Sequence, residues 1–581
     1  MTEKVIIYQL LPRLFTNYNP TCAPHGDYKT NGSGKLNDIN ADVLGAIRDL
    51  GITHVWLTGV IEHAQCTDYS AYGIERDNRH VVKGEAGSPY AIKDYYDIDP
   101  DLAVDVPKRM KEFEALVSRI HKAGMKVVID FVPNHVARQY RSDAAPKGVK
   151  DLGADDDTTK AFSPDNNFYY NPYQQFAPHF DLGSGGDAYV EFPAKATGND
   201  CFSAFPGVND WYETVKLNYG VDYLGGGEGH FDPIPSTWKK MLDILLFWAS
   251  KGVDAFRCDM AFMVPLEFWA WAVPQVKAEY PAIQFIAEIY DTNLYHDFIV
   301  KGGFDYLYDK VNLYDTLRGI QTSNVSAASL TGCWQTVDGL APHMLNFLEN
   351  HDEQRYASAQ YCSDPAKVIP ALVVSSMIGT GPMMIYMGQE LGETAPDAEG
   401  FSGRDGRTTI FDYWSLSTLR RWLNEGKPGE NLLTGRERWL RDQYRRILTL
   451  CNSEKAIAEG GFFDVMYVNY QNPTINPHRH YIFMRHAGDE TIMVAVNFSA
   501  DSADMQINIP DHAFDYFKII PGRAEMTELL TGEKREAEFA PGRTFDTYVA
   551  PFGAAIWKVK HKKSSPKVKK TVSSGRPVTK K

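Results

Sequence analysis

The most constraining feature of this chain is a rhythm. Short apolar runs at 5–11, 53–61, 126–133, 253–259, 284–290, 304–309, 343–352 and 381–390 alternate with longer amphipathic segments. Such alternation marks repeated βα units. Eight units predict an α/β fold of the (β/α)8 TIM-barrel kind rather than an open doubly wound sheet. Helical segments are expected at 107–123, 235–251, 265–280 and 365–378. Each opens at a proline, which suits a first turn that needs no N–H donor. Gly124 and Gly252 follow two of them as left-handed C-caps.

One interval breaks the rhythm. After the third strand comes a stretch of roughly a hundred residues rich in Gly, Asp, Asn, Pro and Tyr, too long for an ordinary connection. The expected organisation is a barrel over 1–135 and 236–455, with an inserted lobe over 136–235. From about 460 the period drops to two, which predicts a C-terminal antiparallel β-sandwich over 456–560. Residues 561–581 are Lys-, Ser- and Pro-rich with no acidic residue and read as a disordered basic tail.

Composition excludes some functions. A net charge of -14 disfavours nucleic acid as a partner, whereas a neutral sugar is indifferent to it. No apolar run reaches about 18 residues, so no membrane span is expected. The seven cysteines are scattered without a CxxC pair, which predicts neither a disulfide framework nor a zinc site. Unpaired thiols and an N-terminus running straight into a strand favour a cytoplasmic location; removal of a signal peptide would make it periplasmic or secreted.

In a TIM barrel the chemistry sits where the strands end. Here the third strand ends in Asp130, Asn134 and His135, the fourth in Arg257 and Asp259, the fifth in Glu288, and the seventh in Asn350, His351 and Asp352. Residues two apart on a strand share a face, so Arg257 can orient Asp259 and keep it ionised as a nucleophile. Glu288, on the neighbouring strand, would be the acid, with a raised pKa. Retention at an acetal carbon needs two carboxyls about 5–5.5 Å apart, a spacing adjacent strand ends can supply.

These blocks resemble the four signature regions of the α-amylase family of glycoside hydrolases: 130–135, 253–259, Glu288 and 350–352, in that order. The run 5–15 resembles the family's first strand, and 88–90 the segment with its sugar-stacking tyrosine. The blocks look most like amylase- and neopullulanase-like members similar to those of gut Bacteroidetes. The resemblance implies a retaining α-glucan hydrolase acting through a covalent glycosyl-enzyme. It implies Asp259 as nucleophile, Glu288 as general acid/base and Asp352 as the third carboxylate. It further implies Arg257 as the nucleophile's orienting residue, His135 and His351 as hydroxyl binders, Tyr90 as stacking platform, and Arg355 as a positioner of Asp352. Asp130 would be structural.

The sequence also departs from the family. Many starch-degrading members carry a Lys-His pair after the nucleophile; this chain has Met260-Ala261-Phe262-Met263-Val264-Pro265. No cofactor is expected, and calcium, if bound, would take Asn134 and Asp210 as oxygen donors. The expected partner is an α-glucan or malto-oligosaccharide. Alternatives are an α-glucan transglycosidase, a branching or disproportionating enzyme, and a non-catalytic carbohydrate-binding or transport-partner barrel, although relatives of that kind typically lose a carboxylate and this chain retains all three. A Rossmann-type enzyme is excluded, because Asn31-Gly32-Ser33-Gly34 does not form a GxGxxG turn.

Overall fold

A computed structural model describes residues 3–183, 186–398 and 403–561. Eight parallel strands close into a barrel: β1 (Ile6–Leu10), β2 (His54–Leu57), β3 (Lys126–Phe131), β4 (Ala255–Cys258), β5 (Gln284–Ala287), β6 (Tyr306–Tyr308), β7 (Met344–Phe347) and β8 (Met383–Tyr386). Each pairs with its neighbour in the sequence, and β1 pairs with β8 to close the ring. All eight lie inside the apolar runs, trimmed at the rims where the chain leaves the ladder.

The barrel interior follows from the period of two. Ile7, Trp56, Val128, Ala255, Ile286, Tyr308, Leu345 and Met384, one from each strand, form a single buried cluster. Two residues further along the same faces stand Asp130, Arg257 and Glu288, and two beyond Arg257 comes Asp259. The interior thus changes from apolar to charged as it approaches the C-terminal rim.

Arg109–Lys122, Ser236–Ser250, Leu266–Glu279 and Ile369–Met377 are helices on the outside of the barrel. The prolines play a different part from the expected one. Pro235 and Pro265 occupy the N-cap itself, while Pro107 and Pro365 sit in 3-10 turns that precede their helices. The fixed φ of proline serves the entry turn as well as the first helical position. Gly124 and Gly252 do take positive φ, 76° and 86°. The long stretch after β3 contains only short strands, and His135–Ala137 pairs antiparallel with Thr214–Lys216 to pin its return.

Gly435–Ser453 closes the barrel with a capping box between Thr434 and Glu437. Beyond it lie a six-stranded antiparallel sheet and a two-stranded sheet, Ala503–Asn508 with Thr544–Val549. They pack together through Phe545 and Trp557, whose indole donates to Thr547. The expected tail falls outside the described residues, except that His561 ends the strand Ala554–His561. Among the described residues no helix is long and apolar enough to cross a membrane.

Candidate active site

Register brings the two central carboxylates side by side. Cys258 pairs with Ala287 across β4 and β5, so Asp259 and Glu288 are each the next residue past the last rung. Their backbones prolong the ladder: Asp259 N–H donates to Phe131 O and Glu288 N–H to Cys258 O. Both side chains are buried, 6% and 2% exposed, at the floor of a pocket of about 270 Å³. Asp352, Tyr90 and His135 line the same pocket.

Arg257 organises the floor. Its Nη1 lies 2.8 Å from Asp259 Oδ1 and 3.2 Å from Asp130 Oδ1, while its Nη2 forms an ion pair with Glu288 Oε2 at 2.8 Å. Tyr308, from β6, accepts from Arg257 Nε, and the Trp56 indole donates to Asp130 Oδ2. Asp130 and Arg257 are direct partners across β3 and β4, hence their contact. One fully buried guanidinium therefore holds three carboxylates, a planar fork suited to the task.

The local backbone adds a donor. Met260 takes the left-handed conformation, φ 43°, and its N–H donates to Glu288 Oε2 at 2.8 Å. A non-glycine residue in that region costs roughly 1–3 kcal/mol and persists where the surroundings enforce it. Tyr290 O–H donates to Glu288 Oε1 at 2.5 Å. In the 350–352 block, Asn350 Oδ1 accepts from the N–H groups of Asp352 and Glu353, a tight turn that faces Asp352 to the pocket.

The electrostatics separate the pair. Burial raises both Asp259 and Glu288, and Arg257 opposes it in each. The Asp259 charge raises Glu288 further, whereas the hydrogen bond from Glu288 lowers Asp259. A shared proton therefore belongs on Glu288 and leaves Asp259 ionised. Asp352 is raised by its desolvated position and by Glu288, although about a third of its side chain faces the open pocket. Burial pushes Asp130 up to about 7 and His135 down to about 4, so the imidazole is neutral near pH 7.

His351 lies behind the pocket wall. Gln9 from β1 reaches its Nδ1 at 2.8 Å, and Tyr90 Oη lies 2.5 Å from its Nε2. With the Gln9 amide donating to Nδ1, the ring proton resides on Nε2, between Tyr90 and Asp352 Oδ2 at 3.1 Å. The Tyr90 ring stacks on this imidazole, 5.1 Å between centroids.

Two expectations need revision. Arg355 does not reach the pocket: it is fully buried, with Nη1 on Glu349 and on Met387 O and Nε on Thr408. Glu349, the buried carboxylate in the same block, captures the guanidinium, so Arg355 braces the loop from behind. The calcium donors are already engaged. Asn134 Oδ1 accepts from the Lys216 ammonium at 2.5 Å, and that ammonium also meets Asp200 Oδ1 at 2.6 Å and Met263 O at 3.2 Å. A lysine thus fills the oxygen-lined position beside Asn134. Asp210 closes its own turn by accepting from Gly207 N–H and Asn199 Nδ2.

Several pocket residues escaped the sequence reading as site residues: Lys83, Trp211, Glu213, Tyr290, Ile410 and Phe411. Lys83 and Glu213 form an ion pair at 2.9 Å, and Trp211 packs on His135 at 5.3 Å between centroids.

Paired acids on the C-terminal rim of a (β/α)8 barrel, opening into one crevice, are the arrangement a glycosidase of this fold uses. Residues 9–219 match the family model "Alpha amylase, catalytic domain". Over 577 residues the chain is 22% identical to a cyclomaltodextrinase of Geobacillus thermopakistaniensis, covering 96% of this chain and 77% of that protein. It is 23% identical to neopullulanase 2 of Thermoactinomyces vulgaris over 68% of this chain and 58% of that one. The structure superposes on the α-amylase of Geobacillus thermoleovorans complexed with acarbose with a TM-score of 0.63 at 18% identity, covering 96% and 99% of the two chains. Over 9–219 the chain thus resembles the catalytic domain of the α-amylase family, and its fold is that of the solved α-amylases.

Proposed function

We propose that this enzyme hydrolyses α-glucosidic bonds of starch-type poly- or oligosaccharides with retention. The observation that carries this reading is the single buried Arg257 holding Asp259 and Glu288 at the pocket floor. The names of the similar proteins, a cyclomaltodextrinase and a neopullulanase, support the substrate class.

In this reading Asp259, kept ionised by Arg257, attacks the anomeric carbon while Glu288 gives its proton to the leaving oxygen. The sugar is then an ester on Asp259. Glu288, now a carboxylate, takes a proton from water as the water attacks the same carbon, and Asp259 leaves. Asp352 holds ring hydroxyls, with His135 as a neutral hydrogen-bonding partner. Tyr90 is the apolar platform against the sugar face, fixed by its stack on His351.

The test is a time-resolved product profile on maltoheptaose. Shorter glucans are expected from the intact enzyme. Glu288→Gln should lower kcat by about 10²–10⁴-fold, and Asp259→Asn by about 10⁴-fold or more. Mass spectrometry of Glu288→Gln with maltosyl fluoride should find one glycosyl unit on Asp259. Near-normal rates in either variant overturn the roles, and products longer than the substrate move the reaction to transglycosylation.

A further inference from the structure

Away from the pocket, four carboxylates converge where the chain passes from the barrel to its long insertion. Glu62 lies in the strand Ile61–His63, Asp94 and Asp97 lie in Ile92–Ile98, and Asp143 lies just after His135–Ala137. One oxygen from each falls within 4.8 Å of the others. Glu62 and Asp94 are direct cross-strand partners in an antiparallel pair broken by irregular register on either side of Glu62. Like charges directly opposite one another destabilise a strand pair. Here both are essentially inaccessible, 1% and 0% exposed.

The neighbours hold most of these groups but leave one open. Asp94 is fixed by Ser142 Oγ and by the N–H groups of Tyr96, Asp143 and Ala144. Asp97 and Asp143 share Arg109, at 2.5 and 3.5 Å. Lys93 turns to Asp77 at 3.2 Å and to the Glu75 carbonyl. Among the described residues, neither oxygen of Glu62 has a hydrogen-bond partner. A buried carboxylate without a donor is costly unless it is neutral or bound to a cation. With Arg109 the only cation bonded to the group among the described residues, a divalent ion would offset most of the remaining charge.

The geometry points to a calcium site formed by Glu62, Asp94, Asp97 and Asp143. Calcium bonds to oxygen at about 2.3–2.6 Å, so two donors on opposite sides of the ion stand about 4.8 Å apart. It tolerates an irregular shell of donors, whereas magnesium demands a near-ideal octahedron. Asp143, with about a third of its side chain exposed, gives the ion an entrance. The ion would fasten the pair of strands that carries Lys83, Ser88 and Tyr90 between them to the start of the insertion that supplies Trp211 and Glu213 to the pocket.

The site is independent of the reaction assigned above, and its test reads metal, not turnover. Enzyme stripped with EDTA is titrated with CaCl2 by calorimetry, and its melting temperature is followed in Ca²⁺ and in Mg²⁺. One Ca²⁺ per chain is expected, with a rise of several degrees in Tm that Mg²⁺ does not match. Glu62→Gln should abolish both the heat and the Tm response. Asp143→Asn, at the accessible edge, should weaken Ca²⁺ binding at least tenfold in a variant whose fold rests least on the changed residue. No Ca²⁺ uptake by the intact enzyme overturns the site, and so does unchanged uptake in both variants. Lack of uptake with a Glu62→Gln enzyme as stable as the parent would show instead that Glu62 is simply protonated.

Discussion

At the residue scale, the proposed reaction depends on where one proton sits. Glu288 receives two hydrogen bonds that favour its ionised form, from Tyr290 Oη and from Met260 N–H. Both work against the burial and the Asp259 charge that raise it. The alkaline limb of the pH profile of kcat/KM should report Glu288 and the acid limb Asp259. Tyr290→Phe removes a donor to the carboxylate, so the Glu288 pKa rises and activity should persist to higher pH. The expected result is an alkaline limb displaced upward with the acid limb nearly fixed. A downward move, or an equal shift of both limbs, would refute the assignment of the proton to Glu288.

At the scale of elements, the strand ends were legible because two periodicities coincide. A period of two put Asp130, Arg257, Asp259 and Glu288 on inward faces, toward the ends of their apolar runs. Gln9 and Tyr308 were not legible as parts of the site. Gln9 reaches His351 only because β1 closes against β8, and Tyr308 reads as core until Arg257 is found above it. The acidic cluster gave no signal either, because its members are spread from 62 to 143 and meet only through an irregular strand pair. Arg355 was misread because the resemblance that set it to position Asp352 does not reveal that Glu349 competes for it. The turn after β4 shows the same limit: Met260 looks like an apolar filler, yet its left-handed backbone aims an N–H at Glu288. A β-branched residue pays more in that conformation. Met260→Val should cost about 1–2 kcal/mol of stability and lower kcat by about tenfold. Met260→Gly, which keeps the backbone, should preserve kcat. Melting curves and steady-state rates on both variants decide whether the backbone or the side chain matters.

At the scale of the whole molecule, the insertion supplies pocket walls that the barrel cannot make, so its hold on the barrel governs the site. That hold is polar. His135–Ala137 pairs with Thr214–Lys216, and the Lys216 ammonium, 2% exposed, joins Asn134 at the end of β3, Asp200 in the insertion and Met263 O after β4. Burial lowers the lysine pKa, and the Asp200 charge and its hydrogen bond counter it. Lys216→Met keeps the length of the stem and deletes the charge, leaving Asn134 Oδ1 without its donor and Asp200 without its counter-ion. Breaking a fully buried pair costs roughly 3–5 kcal/mol, and the cost here should fall below that because Asp200 is 38% exposed. The loss should appear unevenly: amide exchange quickens across 135–137 and 214–216, KM rises as Trp211 and Glu213 lose their fixed positions, and the C-terminal sheets keep their protection. Uniform loss of protection across the chain would mean that Lys216 supports the barrel as a whole rather than the seam between barrel and insertion.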